Sequence, residues 1–580
     1  MSLPTINTTI SRVITDLNTT SNADTEKLDS CNANINPVNG NVTYNTYNIS
    51  NVETINTSMI VYNCTNSSTN VVTSNTCDSN TEIGDSNIAI GDSALYSNTS
   101  GYYNNVFGDN AMYENTTGIN NNAFGTAALF SNTTGDRNNA VGTSALHHNT
   151  SGYSNNAFGT AALYYNETGY SNNAFGDGVL KSNTSGYRNN AVGDGALYSN
   201  TSGYNNNALG TNTLTSNITG IHNVAIGDCG LSSNTIGSYN TAIGSNALYH
   251  NKTGHQNSAV GYSALNNNRA NYNNAFGYFA LSSNTTGVYN NAFGKEALLS
   301  NITGYSNTAV GDSALYSNES GYYNNAFGDN AMHSNTNGLN NNAFGTAAIY
   351  SNKHGYRNNA FGNSTLYSNT CGHSNNAVGT SALYYNETGY SNNAFGDSVL
   401  KSNTVGYRNN ALGDGALYSN TTGYNNNAHG TNALTSNITG INNVAIGDSA
   451  MTMNRFGSNN TAIGANTYID ASYSTAIGYN ASTSNNNEIV LGTETETVYV
   501  PGQINACKIV IKDTTNITNI TGNQITLQET GGTSLSISAN MSGNIKINGN
   551  INDKGIISSE LSIPIEINGT TYYIQLFNMS

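Results

Sequence analysis

Short apolar pieces and polar turns alternate along this chain with a fixed beat. In residues 155–171, NNAFGTAALYYNETGYS, the piece Asn156-Ala157-Phe158 reads as a strand stopped by Gly159. Ala161 to Tyr165 reads as a second strand, stopped by Asn166-Glu167-Thr168-Gly169. Glycine supplies positive φ at such boundaries and asparagine tolerates it, so both breaks carry turn chemistry. Seventeen residues are too few for two helices and their connections. The apolar positions also lack the i, i+3, i+4, i+7 recurrence of an amphipathic helix.

The phrase returns throughout the central chain. Its closing glycine falls at 91 and every seventeen residues to 261, then at 277 after one step of sixteen. It continues every seventeen residues to 464 and ends at 478 and 492 after two steps of fourteen. Twenty-five copies in register predict stacked units and not a globular core. Each copy is read as one rung of a parallel β-solenoid, its strands pairing with their copies in the next rung. Rungs about 4.8 Å apart would make a rod roughly 120 Å long. A rung carrying one Phe, Val or Ile and one Leu buries little apolar area, which favours several chains associating along their length.

A larger duplication overlies the small one. GDSALYSN at 91–98 returns at 311–318, ALYYNETGYSNNAFGD at 162–177 returns at 382–397, and NVAIGD at 223–228 returns at 443–448, each 220 residues on. Two near-copies of an eight-rung block suggest lengthening by duplication, which a stack tolerates because every neighbour contact is preserved. Asn266-Asn267-Asn268-Arg269-Ala270, one residue short and with Ala270 where the turn glycine belongs, is the expected irregularity.

Composition narrows the function classes. Only 9% of the 580 residues are charged, with 60 Gly, 4 Pro, 39 Tyr, no Trp and a net charge of −16. Asparagine makes up about a fifth, a bias that could signal disorder, but strict periodicity argues for order. Without clustered Lys and Arg, a nucleic-acid partner is not expected.

Asn-Val-Ala-Ile-Gly at 223–227 and 443–447, and Asn-Thr-Ala-Ile-Gly at 240–244 and 460–464, carry a more specific signal. These rungs resemble the YadA-like head repeats of trimeric autotransporter adhesins, which also occur in phage and large-DNA-virus fibre proteins. The resemblance covers about 84–492. It implies an all-β fold, a left-handed parallel β-roll assembled as a homotrimeric fibre. The family's repeats are commonly fourteen or fifteen residues long, so the seventeen-residue rungs here carry a larger turn. Asn156 also stands where the family favours an apolar residue. If it points inward, stacked amides would form an interior ladder.

The remaining chain divides around the 81–484 shaft. NNNEIVLGTETETVYVPG, at 485–502, is similar to the collar that closes such rolls. Beyond it, 503–580 loses the period and reads as a β-rich module. Its short strands are expected at Ala506 to Lys512, Gln524 to Gln528, Ser534 to Ser538 and Ile545 to Ile547, with a terminal hairpin at 563–577 turning at Asn568-Gly569. Residues 1–80 read as an Asn/Thr-rich attachment stem whose Asp16, Asp24, Glu26 and Asp29 could dock on a basic partner. The 503–580 module is then the distal tip that nucleates trimers and contacts the receptor, the opposite polarity staying open. MSLPTINTTISRVITDL lacks the basic start and apolar stretch of a secretory signal. No run approaches eighteen apolar residues, and 503–580 lacks the strands of a membrane β-barrel anchor. A fibre on a virion surface is expected, with a particle component at one end and a host receptor, protein or glycan, at the other.

Two columns could carry function. Asp92, Asp109, Thr126, Thr143, Thr160, Asp177, Asp194, Thr211 and Asp228 follow the rung glycines. Stacked aspartates repel and could invite a cation, but the threonines interrupt them and solvated turn residues are the simpler reading. Tyr153, Tyr170, Tyr187, Tyr204, Tyr390, Tyr407 and Tyr424 follow the turn glycines, as a ladder that stiffens the rod or a surface that binds sugars. His147-His148 sit where other rungs carry Tyr pairs, and His373 replaces a post-turn Tyr. Cys229 and Cys371 stand where neighbours carry Ser. Cys31, Cys64 and Cys77 allow one disulfide, and no cysteine, Cys507 included, has metal spacing. No catalytic, cofactor-binding or metal residue is assigned. A structural fibre leads. A cell-surface trimeric adhesin, a polysaccharide-degrading spike and an ice-binding solenoid are the alternatives. The spike would need paired carboxylates, whereas Glu167 and Glu387 are isolated, and an ice-binding solenoid would need an unbroken Thr array.

Overall fold

The computed structural model describes residues 71–72, 86–493, 495–496, 498–501, 562–567 and 570–575. The chain divides into two compact units, Met1–Glu496 and Thr497–Ser580. The first is a parallel β-solenoid of about 24 turns, with no helix among the described residues. Each rung gives one three-residue strand, such as Asn156–Phe158, paired in parallel with Asn139–Val141 before it and Asn173–Phe175 after it. The register never slips: Ala140, Ala157 and Ala174 stand in line. Val71–Val72 pairs with Ile88 and Ala89, so the sheet begins upstream of residue 81.

The second apolar piece is not a strand in the seventeen-residue rungs. Ala161 and Leu163 have φ of 55° and 53°, so residues alternate into the left-handed region and the segment coils more tightly than a strand. It still reaches its neighbours, Ala161 N donating back to Thr143 O and Leu163 N forward to Val179 O, both at 2.9 Å. In the fourteen-residue rungs the segment straightens: Tyr468–Ile469 pairs in parallel with Ser482–Thr483. Three more residues per rung are thus absorbed by coiling.

The core also differs from the expectation. Strand residues alternate faces, and Ala157 points inward while Asn156 and Phe158 point out. Each rung buries Ala157, Ala162 and Leu163 at 0% exposure, with Asn155 and Asn166 beside them. The interior amide ladder exists, but Asn155 builds it and not Asn156. Asn155 Nδ2 donates to Asn138 Oδ1 at 3.1 Å and to Gly169 O at 2.8 Å. Asn166 Nδ2 donates to Asn149 Oδ1 at 2.7 Å and to Gly169 O at 3.0 Å. Asn156 forms a third, outer ladder, donating to Asn173 Oδ1 at 2.7 Å. The two inner columns meet the rule that buried amides need partners and pin the vertical register of the turns.

The sixteen-residue rung is absorbed in its turn. Ala270 O still accepts from Asn257 and Asn268, as a turn glycine does, and the strands keep register from Ser258 to Asn274. The local cost is a stretched ladder, with Asn268 Nδ2 at 3.4 Å from Asn251 Oδ1. Inserting a further copy of 160–176 is expected to lengthen the stack by about 4.8 Å and keep every ladder. Deleting five residues within a rung should swap faces and open the stack. Electron-microscopic length and protease resistance read both, and equal tolerance of the two changes would refute the stacked register.

The stack ends near the expected collar. Ile489–Leu491 pairs with Thr475–Ile477 as the last strand. Beyond it, a Glu496 carboxylate oxygen accepts from Thr493 N at 2.6 Å beside Gly492. In the second unit, Ser562–Ile567 and Thr570–Gln575 form an antiparallel hairpin whose register leaves Asn568-Gly569 as the connection. The strands expected at 506–512, 524–528, 534–538 and 545–547 lie outside the described residues. So do the stem within 1–70 and Cys31, Cys64, Cys77 and Cys507.

Candidate binding surfaces

Three outward features could meet a ligand or partner. The first follows the rung glycines. Its aspartates are held by backbone: Thr160 N donates to Asp177 Oδ1 at 2.8 Å, and Asp177 N to Asp194 Oδ1 at 3.0 Å. Asp92 N reaches Asp109, and the second block repeats the contact from Thr380 to Asp397. Each carboxylate therefore spends one oxygen on the amide of the rung before it, which offsets repulsion between neighbours without a cation. No group of three or more His, Cys, Asp or Glu side chains converges among the described residues.

The second comprises two aromatic columns. The post-turn tyrosines stack as the sequence suggested: Tyr153, Tyr170, Tyr187 and Tyr204 lie 4.9, 4.8 and 4.6 Å apart and within 5° of parallel. His373 stacks between Tyr356 and Tyr390, continuing the column. Arg188 and Arg408 lie over Tyr187 and Tyr407 at 5.9 and 5.8 Å. Ring faces inside a run are thus taken by neighbouring rings, leaving edges outward. A sugar needs an open face to stack on, so the geometry favours the stiffening role. Burial, then the Tyr204 and Tyr170 phenols, push the Tyr187 phenol above its usual range.

A second aromatic ladder was not anticipated. Tyr96, Tyr113, Phe130, His147 and Tyr164 stack at 4.9–5.2 Å, and Lys181 lies over Tyr198 further along the same column. The second block repeats it, with His333 between Tyr316 and Tyr350, and Lys401 over Tyr418. The signal was the spacing of five residues from each rung glycine, masked by alternation among Tyr, Phe, His and Lys. Burial lowers the pKa of His147, aided by His148 and opposed by Glu114, and burial alone lowers that of His333. Both favour the neutral ring that the stack accommodates. Cys229 is half-buried at φ 59° and Cys371 is exposed; both are free thiols. Glu167 and Glu387 are exposed turn residues.

The third feature is the outer face of the sheet. Phe158 and Phe175, and Phe327, Phe344 and Phe361, stack at 4.7–4.9 Å with their rings turned to solvent. From Ile90 to Leu491 the position before each rung glycine is apolar except at His429. These side chains remain far from buried, Phe175 at 40% and Leu412 at 52% exposure. Where Phe gives way to Val192, Leu209 and Ile226 the face has a shallow hollow of about 250 Å³. The sequence reading had placed this column in the core. Among the described residues no helix is long and apolar enough to cross a membrane.

Comparison with known proteins adds no relative: the chain matches no protein-family model and no curated protein.

Proposed function

We propose that this chain is the shaft-forming subunit of a homotrimeric fibre on a virus or phage particle, serving host attachment. Its roll is left-handed, its outer sheet face is turned toward the two other copies, and its terminal modules serve attachment and recognition. One observation carries the assembly. An apolar column, interrupted only at His429, runs along one face for the length of the stack, two fifths to one half exposed where its residues are open. Over two dozen rungs that leaves on the order of 1,500 Å² of apolar side chain in water. The largest patch on a typical monomer is about 300–600 Å². A second copy offers the matching repeat, because the same rise spaces its own column.

A uniform stack without convergent ionisable groups suits spanning and display better than chemistry. The repeated rungs offer no unique address, so recognition is assigned to a non-repetitive end. The test of assembly is solution mass. Light scattering should give three chains, and a variant combining Phe158→Asp, Phe175→Asp and Phe344→Asp should fall to one chain while keeping its β spectrum. A folded wild-type monomer in dilute buffer would refute the trimer. Truncation after Gly502 should weaken assembly and abolish binding to host surfaces. Undiminished binding would move the adhesive surface to the shaft.

A further inference from the structure

The buried turn asparagines stand in a second pattern. Fifteen of them, among them Asn98, Asn115, Asn166, Asn217, Asn301 and Asn437, begin an Asn-x-Ser/Thr triplet with x not proline. That triplet is the acceptor for N-linked glycosylation, which requires a surface asparagine. Here all fifteen are buried, 2% exposed at Asn98 and 0% elsewhere. In fourteen of them Nδ2, the atom that would carry the sugar, is committed twice, and in Asn98 it donates to Gly101 O. Asn166 Nδ2 donates to Asn149 Oδ1 at 2.7 Å and Gly169 O at 3.0 Å, and Asn301 Nδ2 to Asn284 Oδ1 at 2.8 Å and Gly304 O at 3.0 Å. There is no space beside them either. A single Cβ added at Gly118 would lie 2.5 Å from Asn115 Oδ1 and 2.6 Å from Asn132 Nδ2.

We infer that N-glycosylation and folding of this shaft exclude one another, so the chain folds in a compartment that lacks the glycan-transferring enzyme. The transfer breaks one Nδ2–H bond and the bond from the sugar's anomeric carbon to the pyrophosphate oxygen of its lipid-linked donor, and forms the nitrogen–carbon bond; the lipid pyrophosphate is the leaving group and the amide proton is released with it. It acts on an extended chain as it enters the secretory lumen. A sugar attached there at even one of these positions removes a ladder donor and inserts a group larger than the whole rung interior. The inference rests on the ladder geometry alone, independently of what the fibre binds. Bacterial cytoplasm, or the cytosol or nucleus of a eukaryotic cell, satisfies it.

The triplets can be erased without touching the ladder. Their third residues, such as Ser100, Thr117, Thr168, Thr303 and Thr439, are exposed. Asn363 and Asn480 are themselves exposed and head further triplets, Asn-Ser-Thr and Asn-Ala-Ser, where a glycan on the asparagine projects into solvent. The experiment expresses the full chain in cultured eukaryotic cells, once in the cytosol and once behind a secretory leader. A third form carries the leader and alanine at the third position of all fifteen buried triplets. Protease resistance reads folding and glycopeptide mass spectrometry reads occupancy. The cytosolic chain should be resistant. The secreted wild type should carry glycans at positions such as Asn115 and Asn166 and be digested. The secreted alanine form should be resistant, with glycans at Asn363 or Asn480. Blocking synthesis of the lipid-linked donor should likewise restore resistance to the secreted wild type, a measurement that stands even if fifteen alanines impair folding. A secreted wild-type chain that folds, or one that stays digestible when glycan transfer is blocked, would overturn the inference.

Discussion

Asn155→Asp is expected to open the shaft locally at neutral pH, at a cost of roughly 3–5 kcal/mol. The change is nearly isosteric, so packing of Ala157, Ala162 and Leu163 is untouched. What changes is the donor inventory. The amide gives hydrogens to Asn138 Oδ1 and Gly169 O, and a carboxylate gives none. The oxygen in place of Nδ2 would instead press its lone pairs against both acceptors, unsolvated at a fully buried site. The bond from Asn172 N to the Oδ1 of residue 155 survives, because a carboxylate still accepts it. The penalty is therefore one of charge and lost donors. Burial raises the carboxyl pKa in the folded state above its unfolded value of about 3.9. The part of the destabilisation that comes from ionisation is thus absent well below that value, grows as pH rises through it, and levels off above the raised folded pKa. In acid the protonated group donates one hydrogen where the amide donated two, so recovery should be partial. Hydrogen exchange of the Asn156, Gly159 and Leu163 amides reads the local opening energy. The outer-face change Asn156→Asp, beside solvent, should cost less than about 1 kcal/mol. Unchanged exchange at neutral pH in Asn155→Asp, or greater opening in acid, would show that the inner ladder does not hold the rungs.

How much of this could be read from the chain depended on what repetition fixes. The stacking, the parallel register and the period followed from the glycine spacing, and the structure shows each. The facing of the strand did not. A three-residue strand such as Asn156–Phe158 has too few alternations to say which side is wet, and Phe158 is the most apolar candidate for a core. Alanine fills the interior because two inner Asn columns already occupy much of it. The chain itself held the missing signal. The position of Asn155 is asparagine in every seventeen-residue rung, whereas that of Asn156 varies among Asn, Ile, Val, Thr and Ser. A buried amide that must bond to its own copy above and below cannot vary, while an outer one can. The coiled second segment was obscured for a related reason. Ala161 to Tyr165 has the apolar content of a strand, and nothing in residue type at Leu163 announces a φ of 53°. Only the three residues beyond the fourteen of the final rungs hinted that the piece must shorten its rise.

The same stack should separate two glycines that stand alike in composition. Gly159→Ala is expected to break the shaft at that rung, costing roughly 3 kcal/mol or more, whereas Gly178→Ala should change stability by less than about 1 kcal/mol. Gly159 has φ of +138°, a conformation that L side chains rarely adopt. A Cβ there would press on the Gly176 carbonyl of the next rung, with Asp177 N 3.2 Å away. Those are backbone atoms of a paired stack, so relief means separating the two rungs and forfeiting the bond from Gly176 N to Phe158 O at 2.8 Å. Gly178 has φ of +62°, and the nearest atoms to its added Cβ are Tyr198 ring carbons at 3.6 Å, an ordinary contact. Ala161 occupies the equivalent place one rung earlier at φ 55°, and Ala127 does so two rungs before that. Because each rung touches only its neighbours, damage at Gly159 should stay local at first, exposing residues 155–176 to protease while distant rungs resist. Fragment masses after brief proteolysis locate the break. Cleavage spread evenly along the shaft, or equal sensitivity of the two variants, would mean that close rung contact at the glycine column is not what makes the spacing invariant.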